Sequence, residues 1–192
     1  MSYAALLFAV NVGGRKVPST RLRALAGELG FAAPRTIVNS GNLVVAAGGS
    51  GARSAADVAR LVHDGVVEEF GVDATVVVLT TAQLERIVAD VPWPKAARED
   101  PSHVLVLVGA EPVDAAGIAR LDLSTAGRES LAVAHGVLYA RYPDGIGRSP
   151  LTTTVLSRAA GTPVTGRNWN TVTRLLELAR EVDGDGATTP PT

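Results

Sequence analysis

Tyr3 to Val10 is an unbroken apolar run, the pattern of a strand covered on both faces. Asn11-Val12-Gly13-Gly14 ends it. Pro18-Ser19 then opens a segment in which Leu22, Leu25, Ala26 and Leu29 fall at i, i+3, i+4 and i+7, the apolar stripe of a helix that Gly30 is placed to stop. Two short runs, Thr36 to Val38 and Leu43 to Ala46, flank Asn39-Ser40-Gly41-Asn42, a strong hairpin signal. Gly48-Gly49-Ser50-Gly51 reads as a flexible connector. Ser54-Ala55-Ala56-Asp57 has the hydroxyl and the acid of a helix N-terminus, and the helix carries Val58, Leu61, Val62 and Phe70 until Gly71. Val72 to Leu79 reads as a further strand, giving the order βαββαβ.

The second half largely repeats the pattern. Thr81 to Ala89 predicts a connecting helix ending near Val91-Pro92-Trp93-Pro94. His103 to Val108 is a strand, Pro112 to Arg120 a short helix, and Leu131 to Ala134 with Val137 to Tyr142 a hairpin across His135-Gly136. Ser149-Pro150 has the cap and first-turn proline of a helix start. A last helix carries Val172, Leu175, Leu176 and Ala179 on one face. The fold class that follows is α+β: two ferredoxin-like, split βαβ halves packed together, with mixed or antiparallel sheets and helices on one face. The expected organisation is an N-terminal βαββαβ half over 1–80, a connecting helix and Pro-rich linker over 81–102, a C-terminal βαββα half with closing helix over 103–182, and a flexible tail over 183–192.

This topology locates the polar loops. A right-handed crossover makes the first two strands parallel, and the hairpin returns the third beside the first. The end of strand one and the hairpin tip then share one sheet edge, bringing Asn11, Gly13 and Gly14 towards Asn39, Ser40 and Asn42. The first helix start, near Ser19 and Thr20, adds free N–H groups there. Such a rim suits an anion or small polar ligand; equally, the glycines and asparagines serve their own turns. A second candidate is Gly147-Arg148-Ser149 with Arg167-Asn168-Trp169, where an arginine precedes an expected helix cap in each segment. Guanidinium beside exposed helix amides suits phosphate or carboxylate, and Trp169 offers a stacking face. The architectural alternative makes Asn168 a plain cap, Trp169 core and Arg167 the partner of a nearby acid.

Composition narrows the function classes. The 192 residues are 46% hydrophobic and 19% charged with a formal net charge of −1, which fits a globular chain able to bury about 70% of its unfolded surface. No charge excess drives non-specific binding to nucleic acid or anionic membrane. The absence of cysteine excludes disulfides, thiolate catalysis and Fe–S clusters. The apolar opening follows no positive charge and is too short to span a bilayer, and no later run is long enough, so a cytoplasmic location and no membrane partner are expected. His63, His103 and His135 have no metal-ligand spacing, so neither metal nor cofactor is expected. Gly48-Gly49-Ser50-Gly51 lacks the ending of a phosphate-binding P-loop, no nucleophile elbow is present, and nothing marks Glu129 or Asp144 as an acid/base pair. The sequence designates no catalytic residue.

Asn11-Val12-Gly13-Gly14, Ser40-Gly41-Asn42, Gly147-Arg148-Ser149 and Arg167-Asn168-Trp169-Asn170-Thr171, in this order, resemble a bacterial family known as domain of unknown function 1697. The resemblance runs to about Arg180. It implies ferredoxin-like halves and, since the family has no established activity, no catalytic residue. Members often carry Arg-Gly where this chain has Phe8-Ala9, and Gln where it has Asn39; the missing arginine removes a cation from the first rim. The function expected is a binding protein for a small anionic ligand bearing phosphate or carboxylate, a nucleotide among the candidates. The alternative is a structural or protein-interaction module acting by self-association or by binding a partner protein, its sheet edges able to pair between subunits, and a monomer or homodimer is expected. Single-stranded nucleic-acid binding ranks last, with only 4% aromatic residues.

Overall fold

The computed structural model describes residues 1–8, 17–37, 41–124 and 126–187. The chain divides into two compact units, one of Met1–Leu84 with the segment from Arg174 onward, the other of Glu85–Thr173.

In the first unit β1 (Ser2–Leu7), α1 (Ser19–Glu28), β2 (Ala32–Ile37), β3 (Asn42–Ala46), α2 (Ala55–Phe70) and β4 (Val76–Thr80) follow in the expected order. The sheet runs β2-β3-β1-β4 with every neighbour antiparallel. Crossover and hairpin together produce this order: the crossover sets β2 parallel to β1, and the hairpin brings β3 back between them. Tyr3, Ala5 and Leu7 point to one face and pack with Leu43 and Val45, beneath Leu22 and Leu25 of α1 and Val58, Val62 and Val66 of α2. Each fully buried Leu or Val contributes about 1.5–3 kcal/mol. Ser54 caps α2 as expected, its Oγ accepting from Asp57 N at 3.1 Å. The opposite face is covered too. Ser2, Ala4 and Leu6 are buried there, and Ser2 Oγ donates to Ala179 O at 2.8 Å in α7 (Trp169–Ala187). Helices thus lie on both faces of this sheet, one more than expected.

Three local expectations change. Gly48 to Gly51 is no slack connector: Gly48 has φ +53, and a Cβ there would lie 2.7 Å from Ala32 N and 2.8 Å from Gly30 O. β4 starts at Val76, because the buried Val72 and Ala74 sit in a tight turn, Ala74 N donating to Val72 O. β2 starts at Ala32, four residues early; Ala33 at φ 48 and a register break between Ala32 and Arg35 hide it from a periodicity reading.

The second unit has α4 (Pro94–Glu99), β5 (Val104–Gly109), α5 (Ala115–Ala119), β6 (Ser130–Ala134), β7 (Val137–Arg141), α6 (Thr153–Ala160) and β8 (Val164–Asn168); α3 (Thr81–Ala89) leads into it. Its sheet order, β6-β7-β5-β8, repeats that of the first unit. Leu107, Leu138, Ala140, Ile118 and Leu156 form its core. Two expectations need correction here. The half is βαββαβ, because β8 pairs with β5 from Leu105↔Asn168 to Gly109↔Val164. Val-Thr-Gly-Arg-Asn shows no alternation, since Leu105 and Leu107 pack over bare Gly166 and the backbone ladder carries the pairing. The closing helix is also shared: α7 continues past Thr173 into the first unit, through Ala187, so the segment expected as tail is helical that far.

Candidate functional site

Asn11, Gly13, Gly14, Asn39 and Ser40 lie outside the described residues. The strand geometry beside them is as the topology requires: Leu7 N donates to Gly41 O at 2.8 Å, and Leu6 pairs with Asn42. Asn42 is only 1% exposed, so it belongs to the sheet interior rather than to an open rim. α1 starts at Pro18-Ser19 with no side-chain cap.

Arg148 ends a 3-10 turn, Ile146–Arg148, and does not precede a helix. Ser149 Oγ accepts from Leu151 N at 3.1 Å, a local turn. The helix starts later, where Thr152 Oγ1 accepts from Val155 N at 3.3 Å. Tyr142 explains the delay: its buried hydroxyl donates to Leu151 O at 2.9 Å and holds the segment extended. The expected pairing of Arg148 with exposed helix amides is therefore corrected. Its side chain is exposed and makes no hydrogen bond or ion pair with any described residue. Asp144 is occupied. Arg128 Nε donates to Asp144 Oδ2 at 3.0 Å, and that bond holds the carboxyl below its ordinary range, which unsuits it for acid/base work at neutral pH.

Arg167 stands on β8, donating from Nη1 to Thr165 Oγ1 at 2.8 Å and to Gly166 O at 3.0 Å. Burial pushes its pKa down to about 10, still high enough to keep it cationic. Asn168 is the cap of α7: Oδ1 accepts from Thr171 N at 3.0 Å and from Thr171 Oγ1 at 2.9 Å. Trp169 is 7% exposed, so its ring is core and presents no stacking face.

Two clefts gather cations elsewhere. Between α1 and β2, a cleft of about 470 Å³ is lined by Thr20, Arg23, Ala24, Gly27, Pro34 and Arg35. Thr20, Arg23, Ala24 and Gly27 fall at i, i+3, i+4 and i+7, the stripe opposite the buried Leu22-Leu25-Ala26 face. That exposed counter-stripe of small and polar residues is the sequence signal for this cleft, and apolar periodicity alone passes over it. Arg23 makes no hydrogen bond or ion pair with any described residue; Arg35 Nη1 reaches Pro34 O at 3.4 Å. Nearby Arg21 differs. Its Nε donates to Glu69 at 2.6 Å and its Nη1 to Glu28 at 2.7 Å, which raises its pKa and spends its charge internally. The other cleft, about 370 Å³ between α5 and α6, holds Arg120 and Arg158 but also Asp114. Asp114 Oδ2 lies 3.7 Å from Arg120 Nη2 and offsets part of the positive field. Neither cleft is lined by Arg148 or Arg167. Among the described residues no group of three or more His, Asp or Glu is placed to hold a metal ion, and no helix is long and apolar enough to cross a membrane.

No curated protein matches the sequence. The fold is similar to that of a solved structure, the conserved bacterial protein SP0830 from Streptococcus pneumoniae, with a TM-score of 0.66 over 93% of this chain and 98% of that one. At 19% identity the likeness shows the fold alone. Residues 1–139 match the model of a family described as a protein of unknown function, DUF1697. The Asn-Val-Gly-Gly and Ser-Gly-Asn segments fall within that match, and the chain belongs to this family.

Proposed function

We propose that the protein binds a small anion bearing phosphate or carboxylate, a nucleotide among the candidates, in the cleft between α1 and β2. One observation carries the reading: two guanidinium side chains and the Thr20 hydroxyl line a ligand-sized cleft whose lining contains no carboxylate. In a chain with 19 acidic residues, and with Arg21 already paired to two glutamates, Arg23 makes no hydrogen bond or ion pair with any described residue, and its charge is what an anion would relieve. A charge-assisted hydrogen bond contributes about 1.5–3 kcal/mol. Solvent screening at an open cleft favours the low end of that range, so two such bonds hold inorganic phosphate only at millimolar levels. Tighter binding needs a ligand body resting on Ala24, Gly27 and Pro34.

The test is calorimetry and thermal shift at low salt with inorganic phosphate, nucleotides, sugar phosphates and citrate. A ligand at 100 times its dissociation constant adds about 2.7 kcal/mol of stability. Arg23→Ala and Arg35→Ala should each weaken binding roughly tenfold, the loss of one such bond, while Arg148→Ala leaves it unchanged. If no compound stabilises the wild type, the reading is wrong; if Arg148→Ala alone abolishes binding, the ligand sits at the 3-10 turn instead.

A further inference from the structure

β6 is one of the two outer strands of its sheet, with β7 on one side only. The two-residue turn His135-Gly136, with φ values of 53 and 73, determines which way its backbone groups face. In such a hairpin the pair closing the turn exchanges hydrogen bonds, and bonded pairs then alternate along the ladder. Ala134↔Val137, Ala132↔Tyr139 and Ser130↔Arg141 are therefore the bonded pairs. The N–H and C=O groups of Leu131 and Val133 point away from β7, and among the described residues nothing bonds to them.

Outer strands of soluble proteins are normally blunted by charge, proline or a bulge. β2 holds the equivalent place in the first sheet and has all three: Arg35, Pro34, and the register break beside Ala33. β6 is Ser-Leu-Ala-Val-Ala and has none. The outer strand β4 ends at Thr80, whose N–H donates to Gln83 Oε1 at 2.9 Å. The open edge of β6 is flanked by Glu129 and by His135, whose Nε2 lies 2.7 Å from Asp90 Oδ2 and whose Nδ1 has no partner among the described residues.

We propose that β6 pairs antiparallel with β6 of a second copy of this chain, centred on Ala132, to join two four-stranded sheets into one of eight. In that register Leu131 faces the second copy's Val133, and the outward groups of both strands exchange four backbone hydrogen bonds. Glu129 falls opposite the second copy's His135 at both ends. A shift of two residues sets the Glu129 carboxylate against Val133 or carries it past the strand, so the flanks select the register. The inference is independent of the anion-site reading, since it uses no residue of that cleft.

Sedimentation velocity from low micromolar to near-millimolar concentration tests it. The wild type should dimerise with increasing concentration. At the two-fold axis the Ala132 side chains meet at a non-bonded pair, where Cα atoms approach to about 4.5 Å. Ala132→Lys and Ala132→Glu each set like charges there and should weaken dimerisation at least roughly tenfold, whereas an equimolar mixture of the two should dimerise like the wild type. Hydrogen exchange on the wild type reads the same contact without a variant: Leu131 and Val133 amides gain protection with concentration, and the Ala132 amide is protected throughout. A wild type that remains monomeric, variants that dimerise as tightly as it does, a mixture that stays monomeric, or Leu131 and Val133 amides indifferent to concentration would each overturn the proposal.

Discussion

Gly117→Ala adds one methyl group to α5 where α6 passes closest, and two effects oppose each other. In an isolated helix the change stabilises by up to about 1 kcal/mol, because alanine loses less backbone freedom than glycine. Here the new Cβ would lie 2.0 Å from Ala159 O and 2.8 Å from Asp114 Oδ2. Ordinary carbon–oxygen contact is about 3.3 Å, so the helices must part by more than an ångström. Ala159 O belongs to the last turn of α6 and cannot move alone; Leu156 and Ala160 move with it, away from Ile118. Overpacking of this kind costs about 1–3 kcal/mol and sometimes more, and a contact this short belongs at the upper end. The net expectation is a loss of about 2 kcal/mol, or about 4–8 °C in Tm for a chain of this length. Gly27→Ala supplies the control of opposite sign: it too is helical, but nothing lies within 4 Å of the position its new methyl group would take, so it should gain about 0.5–1 kcal/mol. Calorimetry of both variants decides the matter. A Gly117→Ala protein as stable as the wild type, or a Gly27→Ala protein less stable than it, would refute the argument.

Thr152→Ala removes the cap of α6 and should cost about 1 kcal/mol, whereas Ser149→Ala, which loses only a local turn bond, should cost less than half as much; urea melts that show the reverse ranking would return the helix start to Ser149. Asn168→Ala should likewise cost about 1 kcal/mol through α7, and unaltered melting would contradict the cap. Burial, assisted by the nearby charges of Asp90 and Glu129 respectively, pushes the hydroxyls of Tyr139 and Tyr142 up to about 12 from an ordinary value of 10.0. The unfolded chain then releases these protons first, so stability is complete below about pH 10 and falls as the pH rises towards 12. Each tyrosine should account for on the order of 2 kcal/mol of that loss, and Tyr139→Phe or Tyr142→Phe should flatten the alkaline limb measured by denaturant titration at each pH.

The strands and helices that the sequence declares are those whose side chains carry the pairing. β1, α2, α3 and the β6–β7 hairpin have clean apolar patterns, and each appears within a few residues of its expected span. β8 is silent because its contribution is backbone to β5, with a glycine where a side chain would announce it. The start of α6 is misread for a long-range reason: Ser149-Pro150 has the right local chemistry, but Tyr142 holds the segment extended for three more residues. For the site, Arg148 was expected before a helix cap and stands instead on a 3-10 turn, while Asn168 caps α7 and Trp169 is buried. Arg23 and Arg35 are far apart in kind, one on a helix and one on an irregular strand, and only the fold of α1 onto β2 makes them neighbours.

Ser2 and Ala179 stand 177 positions apart in the sequence, so β1 waits for a partner made long after it. On a ribosome the second unit emerges whole, from Glu85 to Thr173, before the first has all its parts. Ser2 must wait without that partner until α7 is made. A chain that stops before α7 therefore lacks part of its first unit, a state suited to recognition by chaperones and proteases.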